Sequence, residues 1–133
     1  MTRVYIDMVG DLFHVGHLNI IKNAKKLGDY LIVGVHNDKD VASYKRIPFI
    51  NEKDRYAIVE ACKYVDKIIK GSPLYITHQF LKDNKIDLVV HGSDKSPHFA
   101  KQYAIPISEG IMKYLPYTDG ISTTHLINKI KQS

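Results

Sequence analysis

The sequence predicts an α/β fold: a parallel sheet of about five strands, doubly wound, with helices on both faces. Two observations predict it. Short apolar runs rich in Val, Ile, Leu and Tyr alternate with segments whose apolar residues recur at helical spacing. Length and composition then fit one core: 133 residues, 44% hydrophobic and 25% charged, are ordinary values for a single globular domain spanning 1–133.

Val4 to Met8 reads as the first strand. Gly16 to Leu27 reads as a helix, because Leu18, Ile21 and Ala24 fall on one face. Tyr30 to Val35 is an unbroken apolar run, as a strand buried on both faces of a parallel sheet requires. A loop is expected from Asn37 to Phe49. Asn51 then caps a helix from Glu52 to Cys62, with Glu52 and Asp54 in its first turn. Val65 to Ile69 reads as a third strand, Ile76 to Lys82 as a helix after Pro73, and Ile86 to His91 as a fourth strand. Lys101 to Glu109 is expected to be irregular and Ile111 to Leu115 to be the last strand, after which Ser122 caps a closing helix reaching Lys131.

Several function classes are set aside by what is missing. A single cysteine, Cys62, forms no intramolecular disulfide framework, and its apolar neighbours Ile58, Val59 and Ala61 mark it as a buried inert thiol. Met1-Thr2-Arg3 leads directly into the first strand without a targeting pattern, and Tyr30 to Val35 is far short of the ~20 residues that a bilayer span needs. A cytoplasmic protein without membrane insertion is expected. The formal net charge of +5 is spread through helices and loops with no basic tract interleaved with aromatics, so it reads as attraction for small polyanions and not for nucleic acid. Neither Gly-x-Gly-x-x-Gly nor the Gly-x-x-x-x-Gly-Lys-Ser/Thr phosphate loop is present.

The chemistry concentrates at His14-Val15-Gly16-His17, where the first strand gives way to the first helix. A strand running into a helix aims free backbone N–H groups and the positive end of the helix dipole at one point, and two imidazoles there make a phosphate site. A metal-binding pair and two surface histidines are the other readings, although the spacing and glutamate of the zinc-protease helix are missing. Near the other end, Gly120 precedes Ser122-Thr123-Thr124 at a helix start. Hydroxyls and N–H groups converge there as a phosphate nest or, more simply, as a Ser N-cap. In doubly wound sheets both places fall beyond the carboxyl ends of strands, where ligands bind.

From Asp11 to His17, and again from Ala24 to Val35, the chain resembles the cytidylyltransferase family; Thr118-Asp119-Gly120-Ile121-Ser122-Thr123-Thr124 is similar to that family's second signature, Arg-Thr-x-Gly-Ile-Ser-Thr-Thr. The resemblance covers nearly the whole chain and implies a Rossmann-like fold. It also implies CMP transfer from CTP, with Mg²⁺, to a small phosphorylated alcohol or a phosphonate, with release of pyrophosphate. His14, His17 and Lys45 would be catalytic. Val9, Gly10, Asp11, Gly16, His91, Gly92, Asp94, Tyr117, Thr118, Gly120, Ile121, Ser122, Thr123 and Thr124 would hold the nucleotide, and Asp94 would also be a candidate metal contact. Gly16 would let the backbone approach the ligand. A homodimer is implied as well.

Within the family, Gly28 to His36 and Asp87 to Gly92 look more like the phosphoethanolamine and phosphocholine enzymes than the glycerol-3-phosphate enzymes. Tyr5, Tyr44, Tyr75 and Tyr117 are candidate aromatic faces for an ammonium headgroup. Three departures stand out. Met8-Val9-Gly10-Asp11 replaces Gly-Thr-Phe-Asp, Ser43 replaces a common second lysine, and Tyr117 stands where the family has Arg. Arg3, Arg46 and Lys113 are the candidate substitutes for the missing charges. An ATP-dependent adenylyltransferase of the same fold, or a silent nucleotide-binding module, are the competing readings.

Overall fold

The computed structural model describes residues 1–93 and 99–133. It contains five strands, β1 Arg3–Met8, β2 Tyr30–Val35, β3 Lys67–Lys70, β4 Leu88–Gly92 and β5 Met112–Leu115. All neighbouring strands pair in parallel, in the order β3-β2-β1-β4-β5. Between them run α1 Val15–Lys25, α2 Asp38–Ala42, α3 Glu52–Glu60, α4 His78–Asp83, α5 Phe99–Gln102 and α6 Ala104–Ser108, and α7 Thr123–Gln132 follows the last strand. This is the α/β Rossmann-like sheet expected from the alternation.

Strand alternation explains the two layers. Successive side chains point to opposite faces, so Val4, Ile6, Leu31, Val33 and Val35 share one face with Ile21 and Ala24 of α1 and Val59 of α3. Tyr5, Ile32 and Val89 share the other with Leu81 of α4 and Tyr103. The residues of β1 and β2 between Val4 and Ile6 and between Leu31 and Val35 that join these clusters are at most 1% exposed, which places the pair at the centre of the molecule.

Four expectations need correction. The predicted 37–49 loop contains α2, which forms because the Asn37 side chain accepts a hydrogen bond from Asp40 N at 2.7 Å and so caps a five-residue helix. The irregular 101–109 segment contains the end of α5 and all of α6. Cys62 is half-buried at the edge of the α1/α3 cluster and not enclosed by it. β3 also begins two residues late: the Asp66 N–H still donates to the Leu31 carbonyl at 3.0 Å, but it is the Asp66 carboxylate that accepts from Leu31 N, at 2.8 Å, and from the Lys25 ammonium, at 2.5 Å.

Candidate active site

β1 and β4 are adjacent, yet the chain leaves β1 toward β2 on one side and β4 toward β5 on the other. Such a reversal opens a crevice at the carboxyl ends of the two strands. A cavity of about 570 Å³ lies there. Its walls include Asp7 to Asp11 at and beyond the end of β1, His91 and Gly92 of β4, His17 of α1, the 44–46 loop, and Thr123, Thr124 and Ile127 of α7.

The two histidines lock each other. His14 is the N-cap of α1 and its Nδ1 accepts from Gly16 N at 2.9 Å; His17 Nδ1 in turn accepts from His14 N at 3.1 Å. This is a reciprocal capping box made from imidazoles. Because both Nδ1 atoms accept backbone N–H groups, both neutral rings carry their proton at Nε2. The rings lie 4.0 Å apart, and Phe13 stacks on His17 with centroids 5.2 Å apart. Burial, reinforced by the neighbouring His14 and Lys45, pushes His17 down to about 4, while burial also lowers His14. Both are therefore neutral hydrogen-bond donors at physiological pH.

Gly16 has a more specific role than backbone approach to a ligand. A Cβ built there would stand 2.6 Å from Cε1 and 2.9 Å from Nδ1 of His14. Only glycine leaves room for the imidazole to fold back over its own helix.

The second signature meets the first directly. Asn19 Nδ2 donates to Thr118 Oγ1 at 2.9 Å, Thr123 Oγ1 donates to the Asp11 carbonyl at 3.2 Å, and Ile121 Cγ2 lies 3.6 Å from where a Gly16 Cβ would be. Gly120 turns the chain with φ +81, a conformation that L side chains rarely adopt. Ser122 Oγ accepts from His125 N at 3.0 Å and is the N-cap of α7. Its hydroxyl thus serves the helix, while Thr123 and Thr124 face the cavity. Thr118, Gly120, Ile121 and Ser122 build the turn and do not line the cavity.

Lys45 and Arg46 reach the cavity because two buried groups hold their loop. The Asp11 carboxylate accepts from Phe49 N at 3.0 Å and Ile50 N at 2.9 Å, and Arg46 lies 3.3 Å from it. Arg55, fully buried, donates to the carbonyls of Val9 at 2.6 Å, His36 at 2.8 Å and Ile50 at 2.9 Å and pairs with Asp38 at 2.6 Å. Asp11 acts through this loop in addition to lining the cavity. Val9 and Gly10 line it too, and Gly10 has φ +70, which its lack of a Cβ permits.

Asp7 stands at the floor of the cavity, 4% exposed, with the Tyr103 hydroxyl donating to Oδ1. Among the described residues no hydrogen-bond partner meets Oδ2, although His36 Nε2 is 3.5 Å away. Burial, with Asp7 and Asp40 nearby, pushes the Tyr44 phenol up to about 12, and burial together with Asp7 raises Tyr103. Both stay neutral hydroxyls. Sequence reasoning missed Asp7, His36, Tyr103 and Arg55. The signal for Asp7 was an acid closing an otherwise apolar strand.

Other expectations are redistributed. Tyr44 and Tyr117 line the cavity, whereas Tyr5 is buried in the α4-side core and Tyr75 is exposed elsewhere. Tyr117 lies across the end of β4: a Cβ on Gly92 would be 2.4 Å from its ring. Of the substitutes for the missing charge, Arg46 reaches the cavity and Lys113 on β5 does not. Arg3 lies at the amino end of β1, away from the cavity, bonded to the Asn84 carbonyl at 3.1 and 3.2 Å. Ser43 closes α2 by donating to the Asp40 carbonyl at 2.6 Å. Asp94 falls outside the described residues. Among those described, no group of three His, Cys, Asp or Glu is placed to hold a metal ion.

The cytidylyltransferase-like family model matches residues 10–129. The chain belongs to the cytidylyltransferase-like family. This cytidylyltransferase-like chain is 39% identical to the ethanolamine-phosphate cytidylyltransferase of Dictyostelium discoideum, over 96% of the chain and 36% of that protein. It is 40% identical to the Arabidopsis thaliana ethanolamine-phosphate cytidylyltransferase, over 96% of the chain and 32% of that protein. With Homo sapiens choline-phosphate cytidylyltransferase A it shares 36% identity, over 97% of the chain and 36% of that protein. The chain thus spans about a third of the length of these relatives. Among solved structures, the lipopolysaccharide core biosynthesis protein of Thermoplasma volcanium superposes with a TM-score of 0.71 at 29% identity, covering 89% of this chain and 97% of that one. A pantothenate synthetase from Thermus thermophilus, at 13% identity and TM-score 0.57, shares the fold; 87% of this chain and 56% of that one are covered.

Proposed function

We propose that this chain transfers CMP from CTP to a small phosphorylated alcohol bearing an ammonium group and releases pyrophosphate. One observation carries the proposal: a single cavity joins a wall holding the neutral His17 and two cations to a floor holding a buried carboxylate among tyrosines. His17, Lys45, Arg46 and the start of α7 line the phosphate end, and His14, which is not itself in the lining, packs against His17. Asp7, Tyr44 and Tyr103 form the other end. The kinship with ethanolamine-phosphate and choline-phosphate cytidylyltransferases supports cytidine as the base and an amino alcohol as the acceptor.

In the reaction an oxygen of the acceptor phosphate bonds to the α-phosphorus of CTP as the bond from that phosphorus to the β-bridging oxygen breaks. The nucleophile is already an anion at neutral pH, so alignment and charge stabilisation do the work and no general base is required. The Nε2–H groups of His14 and His17 donate to oxygens that gain charge in the transition state. Fixed neutral donors do this without reorganising. Lys45 and Arg46 add charge toward the triphosphate, and the N–H groups of the first turn of α7, with Thr123 and Thr124, receive the outer phosphates.

Mg²⁺ belongs to this proposal as the counter-ion of the triphosphate. The carboxylates lining the cavity, Asp7 and Asp11, are engaged by Tyr103 and by the Phe49 and Ile50 amides. Such a set fits an ion held mostly by nucleotide oxygens, as Mg²⁺ commonly is. A cytoplasmic homodimer is part of the same reading, supported by family resemblance; no helix among the described residues is long and apolar enough to cross a membrane.

Pyrophosphate release tests the assignment. CTP with phosphoethanolamine or phosphocholine is expected to turn over, whereas glycerol 3-phosphate, which lacks the cation, is expected to turn over much less. A clear preference for ATP, or for glycerol 3-phosphate, would overturn it.

A further inference from the structure

Two hydrogen-bond acceptors face each other on the floor of the cavity. Asp7 of β1 is paired with Gly34 of β2, and His36 stands two residues beyond Gly34 on the same face, so the two side chains meet diagonally across the strands, past a residue that has none. Each is 4% exposed. His36 Nδ1 lies 3.1 Å from the Ser72 carbonyl oxygen. The Ser72 hydroxyl, 3.3 Å from Nδ1, can accept as well as donate, whereas a carbonyl only accepts, so the contact favours the tautomer with the proton at Nδ1 and the lone pair at Nε2. That atom is 3.5 Å from Asp7 Oδ2, which has no hydrogen-bond partner among the described residues. Oδ1 is already bonded to Tyr103. A buried carboxylate oxygen without a partner calls for a donor.

We infer that His36, working with Asp7, selects a primary ammonium over a quaternary one; this rests on the reading that the acceptor carries an ammonium group. One primary ammonium nitrogen has three N–H donors. It can give one hydrogen to Asp7 Oδ2 and another to His36 Nε2, because two atoms 3.5 Å apart both fall within hydrogen-bond reach of a nitrogen between them. A trimethylammonium group offers the same charge and no N–H. Its methyl groups would face the His36 lone pair and leave it without a donor. The tyrosine rings and the Asp7 charge attract either cation, so discrimination falls to His36. A site built to hydrogen-bond a group rejects an analogue lacking it far more strongly than an apolar pocket does.

The test compares kcat/KM for phosphoethanolamine, phospho-N,N-dimethylethanolamine and phosphocholine, with CTP, in the native protein, His36→Ala and His36→Gln. The native protein is expected to favour phosphoethanolamine over phosphocholine by roughly a hundredfold, with the dimethyl compound between them. His36→Ala should lower that ratio at least tenfold, mainly by raising KM for phosphoethanolamine, and His36→Gln, which keeps an acceptor, should recover part of it. An indifferent native protein overturns the inference and leaves the cytidylyltransferase reading standing. So does an unchanged ratio in the variants. Turnover with none of the three acceptors overturns the cytidylyltransferase reading itself and this inference with it. If His36→Ala does not fold, the native ratio and His36→Gln decide.

Discussion

At residue scale the phosphate end of the site depends on where two protons sit. His14 and His17 each use Nδ1 as an acceptor, so an ¹⁵N spectrum of the free protein at pH 7 should show both rings as neutral Nε2–H tautomers. A protonated His17 at that pH would contradict the account. The same burial couples His17 to folding: its value falls from the ordinary 6.5 to about 4 in the folded chain. The unfolded chain therefore takes up the proton first on acidification, so this contribution to stability is complete above pH 6.5 and is lost as pH falls toward 4. Urea unfolding across that window should show stability declining with acid, and His17→Ala should flatten the decline. Gly16→Ala tests the packing of the pair. Its Cβ would meet the His14 ring at 2.6 Å, so kcat should fall roughly a hundredfold, by analogy with losing one preorganised donor, while the melting temperature moves little. Unchanged kcat would show that His14 need not fold back. The sequence displayed both histidines and the glycine, but the reason for the glycine was invisible, because it lies in the direction of a neighbouring side chain.

The element that matters most is the loop between α2 and α3. Neither Lys45 nor Arg46 belongs to a helix or strand, and their place over the cavity is set by the Asp11 carboxylate and the Arg55 guanidinium. Asp11→Ala should therefore raise KM for CTP more than it lowers kcat, and equal effects on both would argue that Asp11 touches the reacting groups. Arg55→Met removes the donor to three carbonyls and the partner of Asp38. Leaving those groups unserved should destabilise the chain by about 3 kcal/mol or more in urea. A loss below about 1 kcal/mol would contradict the role given to Arg55. Here the sequence was only partly legible. Long periodic segments and the caps Asn51 and Ser122 were plain, whereas α2, α5 and α6, of five, four and five residues, are too short for a periodicity to register. Arg55 reads as one more polar position of an amphipathic helix, and its burial follows from long-range contacts with Val9 and His36 that no local pattern encodes.

For the whole molecule, the sheet order converts two distant signatures into one surface. β1 and β4 sit side by side, α1 and α7 start beside the same crevice, and the Asn19–Thr118 and Thr123–Asp11 bonds join what the sequence holds far apart. The strand count, the parallel sense and the placing of both motifs at its carboxyl edge were legible, because alternation and βαβ connection rules leave few other topologies. The floor of the cavity was not, since Asp7, His36 and Tyr103 come from three distant places in the chain with no shared spacing. The central claim is that this arrangement transfers CMP from CTP to an ammonium-bearing phosphate ester. Its most direct measurement is pyrophosphate release with CTP or ATP and phosphoethanolamine, in the native protein and in His17→Ala. The account predicts turnover with CTP, little with ATP, and a fall in kcat of roughly a hundredfold or more in His17→Ala with the fold retained. Comparable turnover with both nucleotides, or an undiminished kcat in His17→Ala, would contradict it.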